Sequence, residues 1–193
     1  MATRRKEEEE SHSLNGTGPF LFGLTLQDAL FLGFCATFIV ITRTGLRLHL
    51  KIPGHAMVFT MFFLILGRGC VRKHGAATLI GLAAGCVAVL LGMGKGGPLA
   101  LLKFVIPAAA VDAGAALCPA VGVSYIVSLL IGMLASATRI VTLILVEWLM
   151  GMDSTVIFQH AVISGAMGMG FGGLGGVLVP PVVRRLRLHG LIH

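Results

Sequence analysis

Charged residues are scarce in this chain, and the few that occur mostly stand between long apolar runs. They make up 12% of the 193 residues, whereas 56% are hydrophobic. A soluble domain usually has about 25% charged residues. Between Leu26 and Val183 the apolar runs have roughly the length needed to cross a bilayer. A soluble protein of this size could not bury so much apolar surface, so the composition predicts an integral membrane protein.

Motifs of soluble enzymes and of metal sites are also missing. The four cysteines (Cys35, Cys70, Cys86 and Cys118) contain no CxxC pair and indicate neither a disulfide framework nor a zinc site. The glycine-rich segment 92–97 lacks the spacing of a phosphate-binding P-loop. No Ser/His/Asp or Cys/His set has a helical spacing that would align a nucleophile with its base. We therefore expect no enzymatic activity, no cofactor and no metal.

The basic residues are grouped beside the apolar runs, which indicates membrane topology and argues against nucleic-acid binding, despite a net charge of +7. At the start, Arg4-Arg5-Lys6 is followed by an acidic run, so no cleavable signal peptide is indicated. This pattern predicts a disordered cytoplasmic tail over 1–20. A six-helix transmembrane domain over 21–185 and a basic cytoplasmic tail over 186–193 follow.

Six apolar runs predict an all-α fold with six transmembrane helices. They cover about 26–41, 54–67, 76–92, 98–117, 121–150 and 155–179. An even number of spans puts both termini on one side. That side is predicted to be the cytoplasm, because most Lys and Arg residues outside the spans then lie there. The expected location is the bacterial cytoplasmic (inner) membrane, with multiple passes.

The first outer loop opposes this charge rule, because it holds Arg43, Arg47 and Lys51 together with His49 and His55. One interpretation is a lid over a ligand. The other is that these charges lie among the lipid headgroups.

Ionisable residues inside the predicted helices are the main indication of a binding site. Each costs at least about 2.5–3.5 kcal/mol in hydrocarbon, so it should face protein or water. Depths calculated from the helix rise place a cluster of polar side chains in the outer half of spans four to six. Its cations predict a pocket, open to the exterior, for an anionic or strongly hydrogen-bonding ligand. The candidate residues are Lys95, Lys103, Arg139, Glu147, Asp153, Gln159 and His160, with His55 contributed by the outer loop.

Two alternatives apply to these charges. The outer group could be a structural network in which Arg139 pairs with Glu147, two turns further along the helix. Asp112, nearer the cytoplasm, could be a proton-relay carboxylate, but packing against Ser or Thr hydroxyls is preferred.

Small residues recur at every fourth position in two predicted spans. One series is Ser164, Gly168, Gly172 and Gly176, and the other is Ala77, Gly81 and Gly85. Such ridges allow helix backbones to approach closely. We expect packing within the chain rather than a dimer interface.

The segment Ala29-Leu30-Phe31-Leu32-Gly33 resembles the AxxxA signature of the S components, the substrate-binding membrane subunits, of energy-coupling factor (ECF) transporters. The length, the six predicted helices and the cytoplasmic termini are also similar to that family. The resemblance implies capture of a vitamin-like micronutrient at the outer face. It also implies docking through Ala29 and Gly33 on a coupling subunit that works with two ATPase subunits. The family's nickel and cobalt branch uses an N-terminal Met-His site, whereas this chain begins Met1-Ala2-Thr3.

Two other functions remain open on the sequence. The chain could be a stand-alone secondary carrier in which Asp112 couples transport to protons. It could also be a non-transporting subunit of a membrane complex, in which the buried charges only hold the helices together.

Overall fold

The computed structural model describes residues 26–49, 55–71, 73–92, 97–118, 121–149, 151 and 154–188, and within these ranges the chain is helical apart from short turns and bends, without strands. In this part of the chain, seven α-helices and one short 3-10 helix follow one another. They are α1 (Leu26–His49), α2 (Ala56–Cys70), α3 (Ala76–Leu90), the 3-10 helix (Gly97–Leu101), α4 (Leu102–Leu117), α5 (Tyr125–Leu149), α6 (Ser154–Val177) and α7 (Val179–Leu188).

Among the described residues, four helical segments are long and apolar enough to span a membrane: Leu26–Gly45, Leu99–Leu117, Tyr125–Leu149 and Ile157–Leu186. The helices α2 and α3 have 15 residues each. At a rise of 1.5 Å per residue they are about 22 Å long, shorter than a hydrocarbon core of about 30 Å. The prediction of an all-α, membrane-type fold is therefore confirmed.

Helices α1 to α6 alternate in direction, which gives the bundle two ends. At the first, the Asp112 end, Asp112 from α4 contacts Arg68 from the last turn of α2 and Thr78 from the first turn of α3. At the second, the Arg43 end, Arg43 in the last part of α1 lies over the ring of Phe104 near the start of α4 and contacts Met57 at the start of α2.

Close approach of α5 and α6 depends on glycine. A Cβ atom added at Gly172 would collide with Ser136, and one added at Gly176 would collide with the carbonyl oxygen of Ser128. On another side of α6, a Cβ at Gly175 would collide with the carbonyl oxygen of Val58 in α2. The small-residue ridge of α6 thus packs against helices of its own chain, as the sequence predicted.

The outer surface of the bundle is apolar. Large hydrophobic side chains are exposed along α1, α3, α5 and α6, whereas α2 is mostly buried in the centre. On α1 the exposed stripe has helical spacing and consists of Leu26, Leu30, Phe34, Phe38 and Ile41. An apolar surface of this kind fits hydrocarbon as its solvent.

Helix α1 is longer than the sequence suggested, because it continues to His49 rather than ending near Ile41. The hydroxyls of Thr42 and Thr44 donate to the carbonyls of Phe38 and Val40 at 2.6 and 2.8 Å, so these polar residues remain within the helix. The proposed lid over 43–55 is corrected accordingly: residues 43–49 are helical and not loop. Residues 50–54 lie outside the described part.

Candidate functional site

Asp112 caps helix α3 from a neighbouring helix. Its carboxylate accepts hydrogen bonds from the backbone amides of Ala77 and Thr78 at 3.3 and 2.7 Å, and from the Thr78 hydroxyl at 2.6 Å. Free amides at a helix start carry partial positive charge and favour an anion there. The expected packing of Asp112 against a hydroxyl is confirmed, and the carboxylate holds α4 against α3.

Arg68 completes this arrangement. Its Nε lies 3.3 Å from Oδ1 of Asp112, and the two side chains are 9% and 13% exposed. Its Nη1 also reaches the carbonyl oxygen of Val71 at 3.5 Å. The guanidinium therefore joins the end of α2 to the same carboxylate that caps α3. Three helices are tied together by one charge pair.

Arg139 lies in the interior seam of α5. It is partly buried, between the buried residues Ala135 and Thr142 on the same helix face, and its Cδ lies 3.8 Å from the position a Cβ would take on Gly168 of α6. Counting from Tyr125, it is about 21 Å along the helix, with about 15 Å remaining to the end. Within the described residues, no ion pair joins Arg139 to Glu147. The predicted alternative of an Arg139–Glu147 pair is therefore not observed.

Glu147 lies two turns beyond Arg139 on the same interior face of α5, and it is 7% exposed. Half-buried Lys103 and His55 lie at the starts of α4 and α2 respectively. These are the helix starts that meet at the Arg43 end. The structure thus places Arg139 and Glu147 on one interior face of α5. Lys103 and His55 lie at the starts of α4 and α2, at the Arg43 end, and α5 runs towards that end.

Other predicted ligands are not brought to this face or cannot be placed. Gln159 is on the exposed side of α6, next to Phe158, which is also exposed. His160 is in α6, but its side chain lies outside the described part, as do Lys95 and Asp153.

A cavity of about 260 Å³ lies on the apolar surface of α5, where it is lined by Val141, Ile144, Leu145 and Trp148. It contains none of the predicted polar ligands. Within the described ranges, no group of three His, Cys, Asp or Glu side chains is arranged to hold a metal ion.

The proposed docking residues lie on the outside of α1. Ala29 and Gly33 are both exposed, and a Cβ added at Gly33 would meet nothing within 4 Å. The apolar stripe of α1 runs beside them, with Leu30 and Phe34 next in sequence. This face could accept another helix without rearrangement inside the chain.

No protein-family model, curated protein or solved structure matches the chain significantly. The helical architecture, with four long apolar helices among the described residues, is that of a membrane protein.

The sequence prediction assigned no role to Arg68. The available signal was its position: Arg68 stands between Gly67 and Gly69 at the end of an apolar helix. Small neighbours there allow α2 to pack closely, since a Cβ at Gly67 would collide with Ile80 and one at Gly69 would lie 3.4 Å from Gly122. A cation in such a packed position needs a partner within the protein.

Proposed function

We propose that this protein is the membrane-embedded substrate-binding subunit of an ATP-driven importer of the ECF type, and that it captures a vitamin-like micronutrient. The observation that carries the proposal is Arg139, a cation in the interior seam of a membrane helix with no carboxylate recorded beside it among the described residues. A guanidinium in such a place favours a ligand with an anionic group, because charge-assisted hydrogen bonds are strongest away from water.

The ligand would approach from the Arg43 end. Lys103 and His55 stand at helix starts there, and Glu147 lies beyond Arg139 towards the end of α5. A ligand anion would contact Arg139 and Lys103, while Glu147 would accept hydrogen bonds from ligand donors. Lys95 and His160 remain candidates for the outer part of the same site, whereas exposed Gln159 does not.

In the proposed topology all six helices from α1 to α6 cross the bilayer, and both termini are cytoplasmic. The antiparallel order supports this, because α1, α3 and α5 begin at the Asp112 end, where α2, α4 and α6 finish. The 22 Å length of α2 and α3 requires thinning of the bilayer locally or polar ends within the headgroup region. The membrane would be the bacterial cytoplasmic membrane.

Asp112 is proposed to be structural rather than a proton carrier. Both carboxylate oxygens already accept hydrogen bonds from α3, and Arg68 faces one of them. A stand-alone carrier coupled through Asp112 would have to break this set of contacts in each transport cycle.

The function is tested by a thermal-shift screen of the purified chain with water-soluble vitamins and their precursors. We expect one compound class to raise the melting temperature. Uptake of that compound into proteoliposomes should require a coupling subunit and ATPase subunits as well as this chain. A screen in which no compound stabilises the protein, or uptake by the chain alone, would contradict the proposal.

Docking is tested separately with Gly33→Leu, which places a large side chain on the exposed face of α1. We expect the variant to bind ligand normally but to lose co-purification with the coupling subunit. Gly45→Leu is the matched control, because Gly45 is also exposed on α1 with nothing within 4 Å of its added Cβ. Equal loss in both variants would mean a general effect on α1, and no loss in either would place the docking face elsewhere.

A further inference from the structure

Helix α7 has two different faces. Val179 and Val183 are fully buried, and Val183 packs towards Gly69 of α2 and Gly122 before α5. Arg184 and Arg185 are exposed on the opposite side. The buried pair, one turn apart, fixes which way the helix is turned, so both arginines lie on the exposed side of α7 at the Asp112 end.

The exposed side of α7 continues the apolar surface of α6. Leu174 near the end of α6 and Leu178 between α6 and α7 are exposed one turn apart, and Arg185 follows on the same side two turns later. Leu188, one turn further, is 85% exposed. Hydrocarbon-facing side chains are thus followed directly by cations and then by another exposed apolar group, as expected where a chain crosses from acyl tails to headgroups.

An aromatic residue, Tyr125 at the start of α5, lies beside Arg184. The guanidinium carbon of Arg184 lies 5.3 Å from the centre of the Tyr125 ring, and Tyr125 is the half-exposed first residue of α5. Exposed Ile126 follows it on the apolar side. A tyrosine with an arginine above it, next to exposed apolar residues, is a typical headgroup-level arrangement.

We propose that this surface, formed by Tyr125, Arg184, Arg185 and Leu188, binds anionic phospholipids. The phosphate groups contact the two arginines, and the acyl chains lie along Leu174, Leu178 and Ile126. Charge complementarity identifies the partner: two adjacent exposed arginines on an apolar helix surface match a lipid that carries a net negative headgroup and a hydrocarbon chain. The inference does not depend on the micronutrient proposed above.

The test uses the full chain in nanodiscs of phosphatidylcholine alone or with 30% phosphatidylglycerol. Lipids that remain bound after extraction into detergent are counted by native mass spectrometry. We expect wild-type protein to retain phosphatidylglycerol preferentially, and Arg184→Gln/Arg185→Gln to lower its apparent affinity on the order of 20-fold. The preference of the wild type should weaken as ionic strength rises.

Three controls separate the possible explanations. Arg184→Lys/Arg185→Lys keeps the charge and should retain most of the preference. Lys73→Gln removes a cation from the same end of the bundle and should leave the preference near that of wild type, since Lys73 pairs with Asp28. Inorganic phosphate at the lipid's concentration should not compete, because it lacks the acyl chains.

An equal phosphatidylglycerol preference in the wild type and in the Gln double variant would overturn the proposal. So would effective competition by inorganic phosphate, which would indicate a site for a free ion. A double variant that keeps its lipids but loses a co-purifying protein would also overturn it and would assign the arginines to a protein partner. Each variant's melting temperature, measured in phosphatidylcholine alone, checks that it is folded.

Discussion

The carboxylate of Asp112 bonds to both the backbone amide and the hydroxyl of Thr78, at 2.7 and 2.6 Å. Thr78 is the third residue of α3, a helix that starts after Gly75 without a side-chain cap of its own. The orphan donors at its start are therefore satisfied by a residue 34 positions later in the chain. Because Arg68 neutralises the same carboxylate, the contact joins three helices at the Asp112 end.

Asp112→Asn should destabilise the protein. The substitution replaces the negative carboxylate, which faces Arg68 and the start of α3, by a neutral amide. Breaking a buried ion pair costs about 3 kcal/mol or more. We expect the free energy of unfolding in detergent micelles to fall by about that amount. Asp28→Asn is the matched control, because the Lys73–Asp28 pair is more exposed (41% and 28%) and such pairs contribute less than about 1 kcal/mol.

The same variant separates the structural role of Asp112 from proton coupling. If Asp112→Asn unfolds like the wild type but abolishes transport, Asp112 acts in the transport cycle. If stability falls and the folded fraction still binds ligand, its role is to hold the helices together, as the geometry indicates.

Gly172→Ala should disrupt the contact between α5 and α6. The added Cβ would lie 2.7 Å from the Cβ of Ser136 and 2.8 Å from the carbonyl oxygen of Gly132, so the two helices must separate. Overpacking of this kind costs about 1–3 kcal/mol. Denaturant unfolding should show the loss. Gly170→Ala on the exposed side of α6 should be neutral or slightly stabilising, because nothing lies within 4 Å and alanine favours helix by up to about 1 kcal/mol. Equal effects at the two positions would contradict the packing described.

Topology can be tested with single cysteines introduced after the four native cysteines are replaced by alanine. Lys73→Cys and Arg185→Cys should react with a membrane-impermeant maleimide from the same side, and Leu91→Cys from the other. Leu91 is the decisive position, because it follows α3, one of the two short helices. Labelling of Leu91→Cys together with Arg185→Cys would show that α2 and α3 do not cross the bilayer.

The sequence predicted the helices well wherever hydrophobicity alone decides. The third and sixth apolar runs, 76–92 and 155–179, are close to Ala76–Leu90 and Ser154–Val177. The predicted boundary was wrong where polar residues continue a helix: Thr42 and Thr44 donate hydrogen bonds to carbonyls one turn earlier in α1. The sequence prediction also ended the sixth span at 179, whereas helix α7, which contains Pro180 and Pro181, continues to Leu188. These prolines lie in the first turn of α7, where the missing N–H is not needed.

The charged contacts were only partly accessible from sequence. Burial of Asp112 inside an apolar run correctly suggested a hydroxyl partner. Its identity as Thr78, and the part played by Arg68, depend on how α2, α3 and α4 pack, and helical periodicity carries no information on pairs so far apart. The exposure of Gln159 could not be predicted for the same reason: polarity alone does not show which side of α6 faces the bundle.

The most direct test of ligand capture is isothermal titration of Arg139→Gln with the compound identified in the vitamin screen, alongside Arg185→Gln as an exposed control. Loss of charge-assisted hydrogen bonds should weaken binding of the Arg139 variant by about 10- to 150-fold, equivalent to about 1.5–3 kcal/mol. Its melting temperature should not fall, because an interior charge that costs at least about 2.5 kcal/mol in hydrocarbon has been removed. An Arg139→Gln protein that binds the compound as tightly as the wild type, and melts at a lower temperature, would show instead that Arg139 only holds the helices together.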